Sequence, residues 1–477
     1  MNHPALFYEF RKKFKTSADQ SKGIGIEAEL PIVTLEGEVP DFSVIQGLFK
    51  YSEAKEFQVQ RDHFSNYLVE ASRVNNQSGE HFAYCLDSIT TDAGYGVLEV
   101  VMAPQQNIHN LQRHFMAIIQ LLYDYFSTHR CLILGFGIQP VTPPSAKLLM
   151  PKERYLFFSH FSQNNVIPKS QGNDAHLLTI TASNQCHIDV TNQKAIAAIN
   201  VLNALSGLQI ALHANSSIWQ GKVDPNCKAN REFFWEKCYP DRTNQMGIPP
   251  RFANTEAYLQ YLLEFKTMLF KRGPKLLQVL NKATFGEYLH NKTPTTAQTL
   301  DGKQVTIQPL LADLHYLNTF CYFNARLVPQ YGTIESRVCC QQPPGETFAP
   351  TALTLGLLEN LERAEKLMNK LPWQTWKTLR KQAGHTTFDT QVNNQSILPL
   401  LKELVDIATQ GLQRRKQGEE VFLEPLYERI AQQKSPADVA IDIFEKQGLQ
   451  AFLAHYAFKA PLTSSTPSEP TLQSLNV

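Results

Sequence analysis

Long hydrophobic runs are missing from this 477-residue sequence. None approaches the roughly 18 apolar residues that a membrane-spanning helix needs. The most apolar stretch, 195–214, is broken by Asn200, Asn203, Ser206 and Gln209, and no membrane association is expected. A secretion signal is not read either: in MNHPALFYEFRKKFKTS the basic cluster follows the apolar residues, and no small-residue cleavage site closes a long apolar block. Cysteine is scarce, eight in 477 residues and never as CxxC, which is too sparse for a disulfide scaffold and points to free thiols in a reducing cytoplasm. Excess charge is lacking as well, since 45 Lys+Arg against 44 Asp+Glu leave +1. That removes the broad positive field of a protein that grips nucleic acid by bulk charge, so no nucleic-acid partner is expected.

Several catalytic signatures are also missing. There is no GxxxxGK[ST] phosphate loop, GFG at 135–137 lacks the third glycine of a dinucleotide fingerprint, and no HExxH, GxSxG or kinase set occurs. A nucleotide, if bound, would be held through metal and carboxylates.

What is present is globular: 43% hydrophobic residues with 10% aromatics support a large core, in one large domain or up to about three. Residues 5–17 read as a short amphipathic helix, and 23–33 (GIGIEAELPIV) alternates as a strand does. Apolar spacing predicts helices over 107–130, 194–216 and 255–272, the last starting at Thr255-Glu256, and 131–138 (CLILGFGI) is β-like. From about 351 onward helix follows helix, and the Ser-, Thr- and Pro-rich tail 461–477 is expected to be disordered. The expected division is an α+β domain over 1–360, a helical segment over 361–460 packed on it, and the tail.

Polar residues line up on the strands. In 23–33, Ile24, Ile26, Leu30 and Ile32 share one face, while Glu27 and Glu29 share the other, roughly 7 Å apart. Like charges so placed repel unless solvated or bridged by a cation, and a divalent metal is the usual bridge. In GYGVLEVVMAP (94–104), Glu99 is the only charge among Val, Leu and Met, a costly place for an unpartnered carboxylate. In LLTITASNQCHIDV (177–190), Ser183, Gln185, His187 and Asp189 share a face; in GTIESRVCCQQP (332–343), Glu335 and Arg337 do, with Ile334 and Val338 behind them. Strands that turn Glu, Gln, His and Arg outward and aliphatics inward make a sheet with one chemically armed surface.

These segments, in order, resemble the plant and proteobacterial type of glutamate–cysteine ligase, within the carboxylate–amine ligases related to glutamine synthetase. GIGIEAEL (23–30) resembles that family's opening GxExE strand, and VLEVVMAPQQNIHNLQ (97–112) its strand ending in Ala-Pro before a long helix. LLMPKERYLFF (148–158) is similar to its MPK-x-RY segment, the most distinctive match. SNQCHIDVT (183–191), LHANSSIWQGK (212–222), CYPDRTNQMGIPPRF (238–252) and GTIESRV (332–338) follow in the family's order. The resemblance covers about residues 20–360. Departures occur at Ser216-Ser217, after Arg337, and in CYFNARL (321–327), near where an acceptor would be selected.

The resemblance implies a curved antiparallel sheet with the active site on its concave face, surrounded by helices. It also implies a reaction in which ATP converts glutamate to γ-glutamyl phosphate and an amine, that of cysteine, displaces phosphate. Glu27, Glu29, Glu99 and Glu335 are then the candidates for Mg²⁺, with Gln185 and His187 as further ligands or phosphate contacts. Arg337 would steady the transferring phosphate, and Lys152, Arg154, Arg242 and Arg326 are further cations for phosphates or a substrate carboxylate. Trp219, Phe233, Phe234 and Trp235 read as core. Two alternatives stand beside this reading: the same chemistry with another amine, and a non-catalytic binding protein on the same scaffold.

Overall fold

The computed structural model describes residues 3–16, 22–76, 84–280, 283–290 and 294–459; the tail 461–477 lies outside them. The expected alternation of the first strand is realised. In β1 (Ile24–Thr34), Ile24, Ile26, Ala28, Leu30 and Ile32 are all buried. Two-residue periodicity then sends Glu27 and Glu29 to the opposite face.

β1 is central to a nine-stranded sheet. Its strands are β2 (Gln58–Arg61), β3 (Leu68–Val74), β4 (Leu86–Thr91), β5 (Val97–Gln105), β6 (Cys131–Ile133), β7 (Asn184–Asp189), β8 (Ala325–Val328) and β9 (Thr333–Ser336). They lie in the order β8-β9-β7-β1-β5-β4-β3-β2, every neighbour antiparallel, with β6 paired to the far end of β1. Segments some 300 residues apart in sequence thus share one polar surface.

The apolar side is covered by helices. Ile108–Thr128 buries Ile108, Leu111, Phe115, Ile118, Ile119, Leu122 and Phe126 at helical spacing, and the Asn107 side chain accepts from Asn110 N at 2.8 Å to start it. Ala349–Glu359 packs on β7 and crosses Leu398–Arg415 closely: a Cβ on Gly411 would lie 2.0 Å from the Gly356 carbonyl oxygen. Only glycine fits there, so the two helices approach to backbone contact. At the end of the described chain, Phe458 N donates to Ile133 O at 2.8 Å, and one hydrophobic cluster runs from Leu6 to Phe458. Among the described residues no single helix is long and apolar enough to cross a membrane.

Four local expectations are corrected. The helix predicted over 255–272 ends at Leu263, and Leu269–Arg272 instead opens a separate four-stranded antiparallel sheet with Lys275–Val279, Thr295–Gln298 and Gln304–Ile307. Gly273, at φ +59°, and Pro274 turn the chain there, and pairing across that turn satisfies backbone groups that a helix could not carry past proline. The start of that helix at Thr255 is as expected, capped by the Asn254 side chain, which accepts from Ala257 N at 2.9 Å. The strand expected from 177 begins only at Asn184; Asp174–Ile180 is a 3-10 helix, held by Asp174 accepting from the backbone N of Asn165, Val166 and Ile167. The 131–138 run keeps only three residues of regular strand, and 194–216 forms two helices, Ala195–Ala204 and Ser206–His213, bent by 52°.

Candidate active site

Directly paired residues of an antiparallel ladder project to the same side of the sheet. The register therefore lays out the polar face: Arg326 opposite Glu335, Glu335 opposite His187, Glu27 opposite Gln185, Glu29 opposite Glu99, Glu99 opposite Thr90, and Thr90 opposite Glu70. Most residues expected from sequence are thereby brought together.

On the β8-β9-β7 side, Glu335 is fully buried between two guanidiniums: Arg326 Nε donates to its Oε2 at 2.6 Å, and Arg337 donates to its Oε1. Arg326 is further fixed by the carbonyls of Asn318 (2.8 Å) and Cys321 (3.0 Å). Arg337 also donates to Gln185 Oε1 at 2.8 Å, and Gln185 Nε2 donates to Glu29 Oε1 at 3.1 Å. Glu29 Oε2 ends the chain by accepting from Ser183 N at 2.6 Å. One hydrogen-bonded line thus crosses from β8 to β1.

His187 Nε2 lies 3.1 Å from Glu27 Oε1 and 3.8 Å from Glu335 Oε2, and its Nδ1 lies 3.2 Å from Thr333 Oγ1. Ligand atoms of Glu27, His187 and Glu335 all fall within 4.8 Å of one another, close enough for one metal ion. Burial works against charging His187, but the Glu27 and Glu335 carboxylates carry its pKa above the ordinary value. Burial would raise Glu335 too; Arg326 and Arg337 hold it well below the usual carboxylate range.

The β1-β5 side has the opposite balance. Burial, with the Asp92 charge adding to it, raises Glu29 from 4.5 to about 7. Burial and the neighbouring Glu27, Asp92 and Glu29 push Glu99 well above its ordinary value. Lys152 is the compensating cation: its Nζ donates to Thr90 Oγ1 (2.8 Å) and Thr91 O (2.6 Å), and burial lowers its pKa against the pull of Glu99 and Asp92. Asp92 itself accepts from the Tyr155 hydroxyl at 3.1 Å.

Above this face lies a cavity of about 490 Å³, lined among others by Glu27, Glu70, Glu99, Arg154, His187 and Asp189. The volume is that of a typical small-molecule site. Tyr84 and Tyr331, ring centroids 5.9 Å apart, also line it. Arg154, exposed and lying over the Phe158 ring at 5.1 Å, brings a guanidinium to a wall otherwise rich in carboxylates. Arg242 does not line this cavity; it is buried over the Phe161 ring and donates to Gln245 Oε1 at 3.2 Å and Lys266 O at 3.4 Å.

Sequence reasoning did not single out Asp92, Tyr155 or Glu70. Glu70 had a signal, being the one acid in the β-like run LVEASRV (68–74). Asp92 sits in the turn after β4, where no periodicity marks a side chain as inward.

The raised carboxyls set a pH dependence. A carboxyl whose folded pKa exceeds its unfolded one binds extra protons when folded, so its contribution to stability is present below the unfolded pKa and is lost as pH rises through the folded one. For Glu29 that window runs from 4.5 to about 7. In metal-free protein the thermal midpoint is expected to fall between about pH 5 and pH 8, and Glu29→Gln to flatten part of that slope, with Glu99, Asp92 and His187 also contributing to it. Thermal scans across pH check this; a slope unchanged in the variant contradicts it.

Comparison with known proteins bears on the same face. The profile of glutamate-cysteine ligase family 2 matches residues 55–451. Chloroplastic glutamate–cysteine ligase A of Oryza sativa subsp. indica is 24% identical over 366 residues, covering 75% of this chain and 70% of the rice protein. The chloroplastic glutamate–cysteine ligase of Medicago truncatula is 23% identical over 365 residues, 75% of this chain and 68% of its own. In structure, the chain resembles Francisella tularensis glutamate–cysteine ligase, solved in complex with AMP, with a TM-score of 0.57 at 12% identity over 94% of this chain and 91% of that one. That likeness is one of fold.

Proposed function

This chain belongs to glutamate-cysteine ligase family 2, a family of ATP-dependent ligases, and from that premise we propose that it joins the γ-carboxyl group of glutamate to the amine of cysteine, the first step of glutathione synthesis. The observation that carries the reading is the juxtaposition, on one sheet face, of the carboxyl groups of Glu27, Glu29 and Glu99 with the fixed guanidiniums of Arg326 and Arg337.

The chemistry needs both halves. A carboxylate oxygen is a poor leaving group, so a γ-carboxylate oxygen of glutamate first attacks the γ-phosphorus of ATP; the C–O–P linkage forms and the bond to ADP breaks. The amine nitrogen then attacks the acyl carbon, the C–N bond forms, phosphate departs with the C–O electron pair, and the proton lost from nitrogen passes to the departing phosphate or to water. Both steps build charge on phosphoryl oxygens.

The acidic side suits Mg²⁺. Glu99 has no hydrogen-bond partner among the described residues and faces the cavity with Glu27, an arrangement of hard oxygen donors that matches that ion. Glu27, Glu29 and Glu99 would hold it, with His187 and Glu335 beside Glu27, and it would neutralise phosphoryl oxygens. Arg337 and Arg326 present planar donors to the transferring phosphoryl group, and Glu335, with both oxygens engaged, keeps them aimed. Lys152 and Arg154 supply positive charge near Glu99 and the cavity wall, and Gln185 ties Arg337 to Glu29. Arg242 stands back from the cavity and suits a structural role.

Purified protein supplied with Mg-ATP, glutamate and cysteine should release phosphate. Glu27→Gln should reduce that release by about 10²–10³-fold while the circular dichroism spectrum persists. Release unchanged in the variant would remove Glu27 from the metal set, and no release by the parent protein would reject the activity.

A further inference from the structure

Among the described residues, Arg154 is the one arginine or lysine that lines the 490 Å³ cavity, whose wall also carries Glu27, Glu70, Glu99 and Asp189. The side chain is exposed and is steadied within its own helix by the Phe158 ring, four residues on. A long side chain with that freedom loses entropy when it grips an anion, so its strength as a ligand depends on what fixes its starting point.

The first turn of its helix, Glu153–Ser159, is pinned from two sides. Toward the sheet face, Lys152 Nζ donates to Thr90 Oγ1 and Thr91 O, and the Tyr155 hydroxyl donates to Asp92. On the other side stands Glu153, which is buried and does not line the cavity. Its backbone N donates to Asp62 Oδ2 at 3.1 Å, and its Oε2 accepts from Leu276 N at 3.0 Å. Asp62 Oδ1 in turn accepts from Phe64 N (3.0 Å) and Ser65 N (2.9 Å), so the turn between β2 and β3 is part of the same tie. In the MPK-x-RY segment Glu153 occupies the open position, and no motif marks it.

Leu276 belongs to the four-stranded sheet, in the strand Lys275–Val279. The ladder from that strand to Thr295–Gln298 begins only at Gln278, which leaves Leu276 N to find its acceptor outside the sheet, at Glu153. The sheet is itself anchored. Arg272, in the partner strand of the same hairpin, donates to Asp313 Oδ1 (2.6 Å), Asp313 Oδ2 (2.8 Å) and Gln308 O (2.8 Å). The buried Asp313 leads into the helix Leu314–Thr319, whose Asn318 carbonyl accepts from Arg326. One small sheet is thus tied to the segments that carry or hold two of the candidate site's guanidiniums.

We infer that Glu153 is a positioning residue: by tying the four-stranded sheet to the helix start beside Arg154, it holds that guanidinium over the cavity for the phosphates of the nucleotide, which Glu153 itself does not touch. This rests on the ligase reading above and gives the four-stranded sheet a role in it. The effect of Glu153 passes through Arg154 alone, which is what separates it from a residue that merely stabilises the fold.

Calorimetric titration with Mg²⁺ and adenylyl imidodiphosphate, a hydrolysis-resistant analogue of ATP, reads that effect without turnover. Arg154→Ala should weaken binding about tenfold and Glu153→Ala about fivefold, while Glu153→Gln, whose amide oxygen still accepts from Leu276 N, binds as the parent does. In the double variant Glu153→Ala, Arg154→Ala the loss should stay at about tenfold, because the tie has nothing left to aim. Where the alanine variant does not fold, Glu153→Met keeps the buried bulk without an acceptor and takes its place in the same cycle. Losses that multiply to about fiftyfold in the double variant overturn the positioning role and leave the ligase reading standing. Unchanged binding in Glu153→Ala, or Glu153→Gln as weak as Glu153→Ala, does the same. A parent protein that binds no analogue and releases no phosphate from Mg-ATP with glutamate and cysteine rejects the ligase reading, and the inference with it; one that releases phosphate but binds no analogue overturns the inference alone.

Discussion

Glu99→Gln is expected to raise the thermal midpoint of the metal-free protein while lowering turnover by about 10²–10³-fold. Glu99 stands opposite Glu29 in register, with Glu27 and Asp92 also pressing on it, and burial disfavours its charged form before any of them is counted. Lys152 is the nearby cation, and its ammonium group is already hydrogen bonded to Thr90 and Thr91. Replacing the carboxyl group by an amide of the same shape removes a group whose charged form burial and the neighbouring carboxylates disfavour, so the folded state gains. For a chain of this size the gain should show as about 1–3 °C. The same change deletes an oxygen ligand from the candidate metal set, so activity falls. Calorimetry with and without Mg²⁺ checks the pair of effects; a lower midpoint in the metal-free variant would mean that Glu99 is stabilised by a partner and is not a held-open ligand.

The same substitution one strand over should have the opposite sign. Glu335→Gln leaves the part-buried Arg326 and Arg337 beside a neutral, fully buried group, and breaking a buried pair in this way costs up to about 3–5 kcal/mol, seen as a lower urea midpoint. Turnover should fall by at least about 10²-fold because both guanidiniums lose the group that aims them. Combining it with Arg326→Met, which removes one of the orphaned charges, should recover part of the stability and none of the activity. Stability unchanged in Glu335→Gln would show that the arginines are held by their carbonyl and amide contacts alone.

Why these two glutamates differ was only half legible in the sequence. Alternation placed Glu27, Glu29, Glu99 and Glu335 on one face, because two-residue periodicity is local and β1, β5 and β9 obey it. Which cations reach which carboxylate is set by register. Arg326 lies opposite Glu335 because β8 and β9 form a hairpin, whereas Lys152 arrives from a loop and stops at Thr90 and Thr91. Asp92 sits in a turn and meets Tyr155 only through a contact between distant segments, which carries no periodic signal. The same holds for 255–272, where an apolar run compatible with helix is helix only to Leu263 and ends as the first strand of a hairpin closed by Gly273-Pro274. The C-terminal helices were visible as helices; their close crossing at Gly356 and Gly411 was not.

If this sheet face makes an acyl phosphate from a carboxylate and ATP, the phosphate released must carry an oxygen of that carboxylate. Glutamate labelled with ¹⁸O in its γ-carboxyl group, turned over with Mg-ATP and cysteine, tests it directly by mass analysis of the phosphate released. One ¹⁸O atom should be transferred to each phosphate; phosphate released with no label, at a rate matching product formation, would contradict acyl-phosphate formation.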